Sequence, residues 1–209
     1  MKGHRWFAAI YDSMAASEER RFMGDVRAEL VGGAKGRVLE IGAGTGLNFP
    51  YYQKDVEVIA TEPDPYMLRR ARRRLTESGN HIELRESSAE ELRFENDSFD
   101  TVVGTLVMCS VPHPERALAE LRRLLKPGGE YRFYEHVRYR HPFGAFCQDL
   151  ILPVWRWFGA GCHPNRDTVR TIQNAGFSIA TLERTKPLPP VPPMIFSRPH
   201  VKGIAKSPD

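Results

Sequence analysis

The chain is poor in cysteine: three in 209 residues, Cys109, Cys147 and Cys162, far apart. An odd, sparse set excludes a complete disulfide framework and fits a reducing compartment, so the expected location is cytoplasmic. No CxxC or regular Cys/His spacing occurs, and Cys162 with His163 makes no metal pair on spacing alone, so no metal is expected. No apolar run approaches the length of a membrane span. The nearest, "LILPVWRWFGAG", is short and holds Pro153 and Arg156. The first twenty residues lack the sustained apolar core and small-residue cleavage site of a secretory signal. Repeats and low-complexity tracts are missing. The net charge of +4 is mildly basic. However, the arginine-rich run "LRRARRRL" has no interleaved aromatics, so a solvated helix face is expected and nucleic acid is not.

What is present suits one domain with a full core: 41% of the residues are hydrophobic, and the length is that of a single unit. Residues 5–31 read as helical, anchored by Trp6, Phe7, Ile10, Phe22, Val26 and Leu30. "RVLEIG", "VEVIATE", "HIELRE", "FDTVVGTLVM", "EYRFYEHV" and "FSIATLER" read as six strands, and "PHVKGIAK" as a last one. Amphipathic helices are predicted between Pro65 and Gly79, over "PERALAELRRLL" up to Pro127-Gly128-Gly129, and over "NRDTVRTIQNAGF", where Asn165 or Asp167 is the candidate cap. The aromatic segment 138–164 breaks the alternation, and "KPLPPVPPM" reads as an extended connector. Alternating strands and helices predict an α/β, doubly wound, mostly parallel sheet. Such sheets bind ligands beyond the carboxyl ends of their strands.

Gly42, Gly44 and Gly46 follow the first strand, where a missing Cβ lets backbone approach a ligand. The spacing is GxGxG. Leu47 stands where a dinucleotide fingerprint needs its third glycine, and the Gly-Lys-Ser/Thr ending of a P-loop is missing. Glu40, two residues upstream, would repel a pyrophosphate and suits a ligand carrying an ammonium or sulfonium.

"VLEIGAGTG", the acid ending "VIATE", "SSAEELRFENDSFD" and "LLKPGGEYRFYEHV", in that order, resemble the class I S-adenosylmethionine-dependent methyltransferases. The resemblance implies a Rossmann-like seven-stranded sheet whose last strand is antiparallel, and S-adenosylmethionine as cofactor. It places the cofactor among Glu40, Gly42, Ala43, Gly44, Thr45, Gly46, Asn48, Glu62, Pro63, Met67, Ser88, Ala89, Glu90, Thr105 and Leu106. Glu62 matches the acid that accepts both ribose hydroxyls. Met67 matches an apolar contact to adenine, and plain helix core explains it equally. Ser88 stands where aspartate is usual near the adenine amino group. Tyr11, in the N-terminal helix, matches a tyrosine that approaches the cofactor.

"TLVMCSVPHPERALAELRR", Gln148, Trp155, "GCHPNRDT" and "RPHVKGIAK" resemble more narrowly the animal alkyl thiol methyltransferases and their bacterial relatives. The animal proteins carry an N-terminal hydrophobic anchor, which is not expected in this chain. The implied division is an N-terminal helical lid (1–34), a cofactor-binding core (35–136), an aromatic substrate-side insertion (137–165), and a C-terminal helix and strands (166–209). The implied acceptor is a small hydrophobic thiol, attacked in line; a phospholipid amine, a quinone-like ring, or a non-catalytic binding role stay open. A thiol needs little base catalysis. His136 is a candidate to assist proton removal, or is a structural histidine. Trp155 and Trp157 are candidates to wall the acceptor, or belong to the core, and Arg166 is a candidate for a substrate anion. Cys109 reads as buried and inert, and His113 as a surface residue. The basic, aromatic N-terminal helix is a candidate for peripheral membrane contact. Oligomeric state is not legible.

Overall fold

The computed structural model describes residues 5–78, 81–187 and 194–208. Gly79 and most of the proline stretch therefore lie outside the described residues. Seven strands form one sheet: β1 (Arg37–Ile41), β2 (Glu57–Thr61), β3 (Ile82–Arg85), β4 (Phe99–Thr105), β5 (Leu125–His136), β6 (Ser178–Thr185) and β7 (His200–Lys206). The spatial order is β3-β2-β1-β4-β5-β7-β6. β1 pairs in parallel with β2 and β4, β2 with β3, and β4 with β5. β7 is antiparallel to both β5 and β6. The expected mixed sheet is therefore the observed one, with β7 inserted between two strands that precede it in the chain.

Six helices cover the sheet: α1 (Arg5–Glu18), α2 (Gly24–Leu30), α3 (Pro65–Ser78), α4 (Pro114–Leu124), α5 (Pro142–Phe158) and α6 (Thr168–Asn174). A π-helical turn, Glu19–Met23, joins α1 to α2. The strands are buried on both faces, which is why they read as near-continuous apolar runs. Leu39 and Ile41 pack on one side with Phe99, Leu118, Leu121, Ile172 and Phe177. Val38 packs on the other with Val31, Phe49, Tyr52 and Ala60. Asp167 caps α6, its carboxylate accepting the Arg170 N–H.

Three boundaries differ from the sequence expectation. β4 ends at Thr105 rather than continuing to Met108. Leu106 adopts φ 61, and the N–H groups of Val107, Met108 and Cys109 turn toward the Glu135 carboxylate. α4 stops at Leu124, short of the Pro-Gly-Gly: Leu125 is already extended, and Lys126, next to Pro127, is disfavoured in the helical region. β5 consequently starts at Leu125 and passes through a register shift to Glu130. Residues 142–158, to which the sequence assigned no element, form the 17-residue α5 despite Pro153. Pro142 opens it, and the buried Gln148 ties it down. Its amide group faces the carbonyls of Val137, Pro164 and Phe196, and its Oε1 accepts the Tyr139 N–H.

Candidate active site

The carboxyl ends of β1, β2, β4 and β5 share one edge, and the sequence-expected residues collect there. The turn after β1 holds Gly42 (φ 59), Gly44 (φ 59) and Gly46 (φ 81) in the left-handed region that glycine tolerates. Their surroundings differ. A Cβ on Gly42 would stand 2.8 Å from a Val107 methyl, and one on Gly46 would stand 2.4 Å from the Phe49 ring. One on Gly44 would meet nothing within 4 Å. Gly42 and Gly46 are fixed by packing, whereas Gly44 faces open space.

Glu62, at the end of β2, is buried beside that space. Its Oε2 accepts the Gly44 N–H at 2.8 Å and its Oε1 the Asp64 N–H at 2.8 Å. Burial pushes its carboxyl up to about 7, against the two backbone donors. Pro63 follows it, and Asp64 caps α3 by accepting from Tyr66 and Met67 N–H groups. Met67 is buried on the first turn of that helix.

Glu40 sits behind the turn, on the Val38 face of β1. Its Oε1 accepts from Asn48 Nδ2 and its Oε2 from the Tyr52 hydroxyl, each at 2.9 Å. Asn48 Nδ2 also reaches Thr105 Oγ1 at 3.1 Å, and Asn48 Oδ1 accepts from Arg27 of α2. Both Glu40 oxygens are thus engaged within the protein, and burial pushes this carboxyl up to about 7 as well. Leu106 packs with Met23, Leu30 and Tyr134 beneath the N-terminal helices. On the far side, Ala89 is buried, Ser88 Oγ accepts the Glu90 N–H at 3.3 Å, and Glu90 Oε1 accepts the His113 N–H at 2.6 Å. His113 itself is exposed.

α1 lies over the glycine turn. Thr45 Oγ1 donates to Asp12 at 2.6 Å, and Arg74 of α3 donates to the Thr45 carbonyl at 2.6 Å and pairs with Asp12 at 3.4 Å. Tyr11 neighbours Asp12 and packs on Phe7, with ring centroids 5.5 Å apart.

His136 ends β5. Its Nδ1 lies 3.5 Å from Cys109 Sγ and 3.6 Å from Cys162 Sγ, and its ring centroid is 4.4 Å from that of His200. Burial pushes His200 down to about 2, so it stays neutral. The cysteines that spacing kept apart are therefore neighbours in space. Trp155 is half-buried near them: its Nε1 and the Cys162 Cβ both approach Gly159, at 3.3 and 3.2 Å from the position a Cβ there would take. Trp157 is not beside it. Two residues of helix turn the chain by about 200°, which puts Trp157 on the outer face of α5 against Trp6, 67% exposed. Arg166 Nη1 donates to the Met108 and Val111 carbonyls at 2.6 and 2.7 Å, so it braces the Cys109 loop rather than opening toward a substrate anion.

Residues 39–133 match the family model described as a methyltransferase domain. Human thiol S-methyltransferase TMT1B is 36% identical over 182 residues, covering 83% of this chain and 72% of its own. Human thiol S-methyltransferase TMT1A is 31% identical over 206 residues, covering 95% and 82%. The chain belongs to the class I S-adenosylmethionine-dependent methyltransferases. A phosphatidylethanolamine N-methyltransferase of Cereibacter sphaeroides is 39% identical over 148 residues, covering 68% and 70%. A solved S-adenosylmethionine-dependent methyltransferase from Thermotoga maritima shares the fold, with TM-score 0.66 at 24% identity over 99% and 100% of the two chains. This methyltransferase takes its methyl group from S-adenosylmethionine, and its residues fit that cofactor. Gly44 leaves an open cradle at the backbone, and beside it stands the buried Glu62 carboxylate, whose two oxygens have acceptor capacity beyond their two backbone donors.

Sequence reasoning missed Arg27, Tyr52, Asp12, Glu135 and the Cys109–His136–Cys162 group. Glu135 stands inside a motif already quoted, but nothing in a motif says that a side chain points inward. Among the described residues no helix is long and apolar enough to cross a membrane.

Proposed function

We propose that this methyltransferase methylates a small, hydrophobic thiol. One observation carries the reading. The similarity to a thiol S-methyltransferase extends over 95% of the chain, so it reaches past the cofactor core into the acceptor side after β5. The chemistry of that side agrees: an indole, two sulfurs and two imidazoles gather at the tip of β5.

In this reading Gly44 lets the methionine part of the cofactor lie on the backbone, and Glu62 accepts the ribose hydroxyls beside its two backbone donors. Met67 and Ala89 flank the adenine, Ser88 meets its amino group, and α1, carrying Tyr11, closes over the top as a lid. The acceptor enters from the side of Trp155 and His136. Positioning and exclusion of water supply the rate, since a thiolate attacking a sulfonium methyl needs little else. A labelled-methyl assay across a thiol panel and an amine panel tests this. Transfer to thiols is expected, and transfer to amines alone would sink it.

A second reading, a phospholipid amine acceptor, is favoured by a specific feature. Phe143, Phe146, Leu150, Val154 and Trp157 form an exposed apolar stripe along α5, with Trp6 beside it. Sedimentation with anionic vesicles discriminates: no binding by the intact protein, or binding unchanged in Phe146→Ser, removes this alternative.

A further inference from the structure

We infer that Cys109, His136 and Cys162 are the three protein ligands of a soft divalent cation, zinc by chemistry, whose fourth position takes the sulfur of the methyl acceptor. The acceptor half of this inference rests on the thiol reading, and the metal half does not.

The three donor atoms, two Sγ and one Nδ1, lie within 4.8 Å of one another. Tetrahedral zinc with ordinary Zn–S and Zn–N bonds requires S···N separations of about 3.6 Å and an S···S separation of about 3.8 Å. The two S···N distances are 3.5 and 3.6 Å. Two edges of the tetrahedron are therefore already at their ligated lengths. The donors are of the right kind: two thiolates and an imidazole select zinc over magnesium or calcium. Three protein ligands with an open fourth position is the pattern of a catalytic zinc, since structural sites are closed by four.

The ligands are also held by the fold. Cys109 donates its own N–H to Glu135 Oε2 at 3.0 Å and accepts the His163 N–H on its carbonyl at 2.6 Å. The first contact ties the loop after β4 to the residue next to His136. The second ties it to the residue next to Cys162. Arg166 clamps the same loop from the other side through Met108 and Val111. Gly161, at φ 92, lets the chain turn so that Cys162 faces inward. Two buried polar atoms beside this loop, His163 Nδ1 and Trp155 Nε1, find no hydrogen-bond partner among the described residues.

The site also stands where the reaction needs it. His136 ends β5, two strand spacings across the sheet from β1, on the same carboxyl edge as the glycine turn, and β4 with its Cys109 loop comes between them in the strand order. The chemistry balances. Ligation releases the two cysteine protons to solvent, and the acceptor thiol gives up its own proton on taking the fourth position. Its sulfur then forms a bond to the methyl carbon as the sulfonium C–S bond breaks, the electron pair leaving on neutral S-adenosylhomocysteine. The product is a thioether, a far weaker ligand than a thiolate, and so departs. His136 donates a lone pair to the cation in this arrangement and does not act as a proton acceptor.

The test uses the whole chain, purified under reductant, stripped with a chelator and titrated with Co²⁺. The expected result is one equivalent bound, with thiolate-to-cobalt charge-transfer and tetrahedral ligand-field bands that Zn²⁺ abolishes. The bands should be lost in Cys109→Ser and Cys162→Ser and kept in Cys147→Ser, with S-adenosylmethionine binding retained in all three as proof of folding. No uptake by the intact reduced chain, a Cys109–Cys162 disulfide that resists mild reductant, or bands unmoved by either ligand substitution would overturn the metal site. Adding thiophenol should then shift the cobalt bands. Methylation of thiophenol with unshifted bands would overturn the acceptor's place on the metal. Shifted bands without methylation would leave the site standing and refute the thiol substrate instead.

Discussion

Gly44 and Gly46 look alike in the sequence and separate at the level of single atoms. Both have positive φ, so any side chain strains either position by about 1–2 kcal/mol. Only Gly46 adds a steric clash, with the Phe49 ring. Gly44→Val should therefore abolish S-adenosylmethionine binding in calorimetry while lowering the melting temperature little. Gly46→Val should lower the melting temperature more. Equal thermal losses would show that Gly44 is not a ligand-facing position. Glu62 makes a second distinction. Its folded carboxyl is raised to about 7, above the ordinary value near 4.5, so between those values the folded protein holds more protons than the unfolded one. Glu62 thus favours folding most at acid pH, and that contribution is lost as pH rises toward 7, by up to about 1.4 kcal/mol per pH unit. Glu40 behaves in the same way. Cofactor binding should run the other way, because the ionised carboxylate offers both oxygens as strong acceptors to the two ribose hydroxyls and the protonated one does not. Affinity measured between pH 5.5 and 8.5 should fall on the acid side with proton release on binding, and Glu62→Gln should flatten the profile.

Among the elements, α1 is the one whose position depends on a single polar contact set. Asp12 receives the Thr45 hydroxyl and faces Arg70 and Arg74 at 3.4 Å. The ion pairs are partly exposed and contribute little to stability. Asp12→Ala should leave the melting temperature nearly unchanged. It should raise hydrogen exchange across residues 5–18 and weaken cofactor binding several-fold. Unchanged exchange there would mean that the remaining contacts, those of Trp6, Phe7 and Ala8 among them, suffice to hold the helix. α5 shows the limits of reading an element from sequence. Pro153 and Gly144 argue locally against a helix, yet Gln148 gathers three carbonyls and one N–H from distant segments and stabilises one. Once helical, the segment sorts its tryptophans by period, Trp155 inward and Trp157 outward, a division that no linear reading of "VWRWF" contains.

For the molecule as a whole, β7 decides whether the sheet closes. It pairs along β5 from Glu130 to His136 and along β6 from Ser178 to Thr185. Removing residues 200–209 would strip β6 of its only strand neighbour in the described sheet and expose Val201's and Ala205's buried partners. That truncation should lose cooperative thermal unfolding by circular dichroism, whereas Asp12→Ala keeps it. A cooperative transition in the truncated chain would show that β6 is dispensable.

Much of this was legible without coordinates, because local chemistry is written locally. Strands buried on both faces must be apolar throughout, helices between them must carry an apolar stripe, and a turn that touches a ligand with its backbone must be glycine. The sequence thus determined the strand set, the α/β alternation, the glycine turn and the acid at the end of β2, and with them the cofactor. Tertiary structure alone decided the rest. It turned Glu40 inward onto Asn48 and Tyr52, set Arg166 against the Met108 and Val111 carbonyls, and parted Trp157 from Trp155. It also brought Cys109, His136 and Cys162 within reach of one another. The reason is the same in each case. A strand end, the loop after its neighbour and the turn after a helix, 26 residues on, meet only because the fold brings them to the carboxyl edge of the sheet, and sequence distance carries no record of that edge.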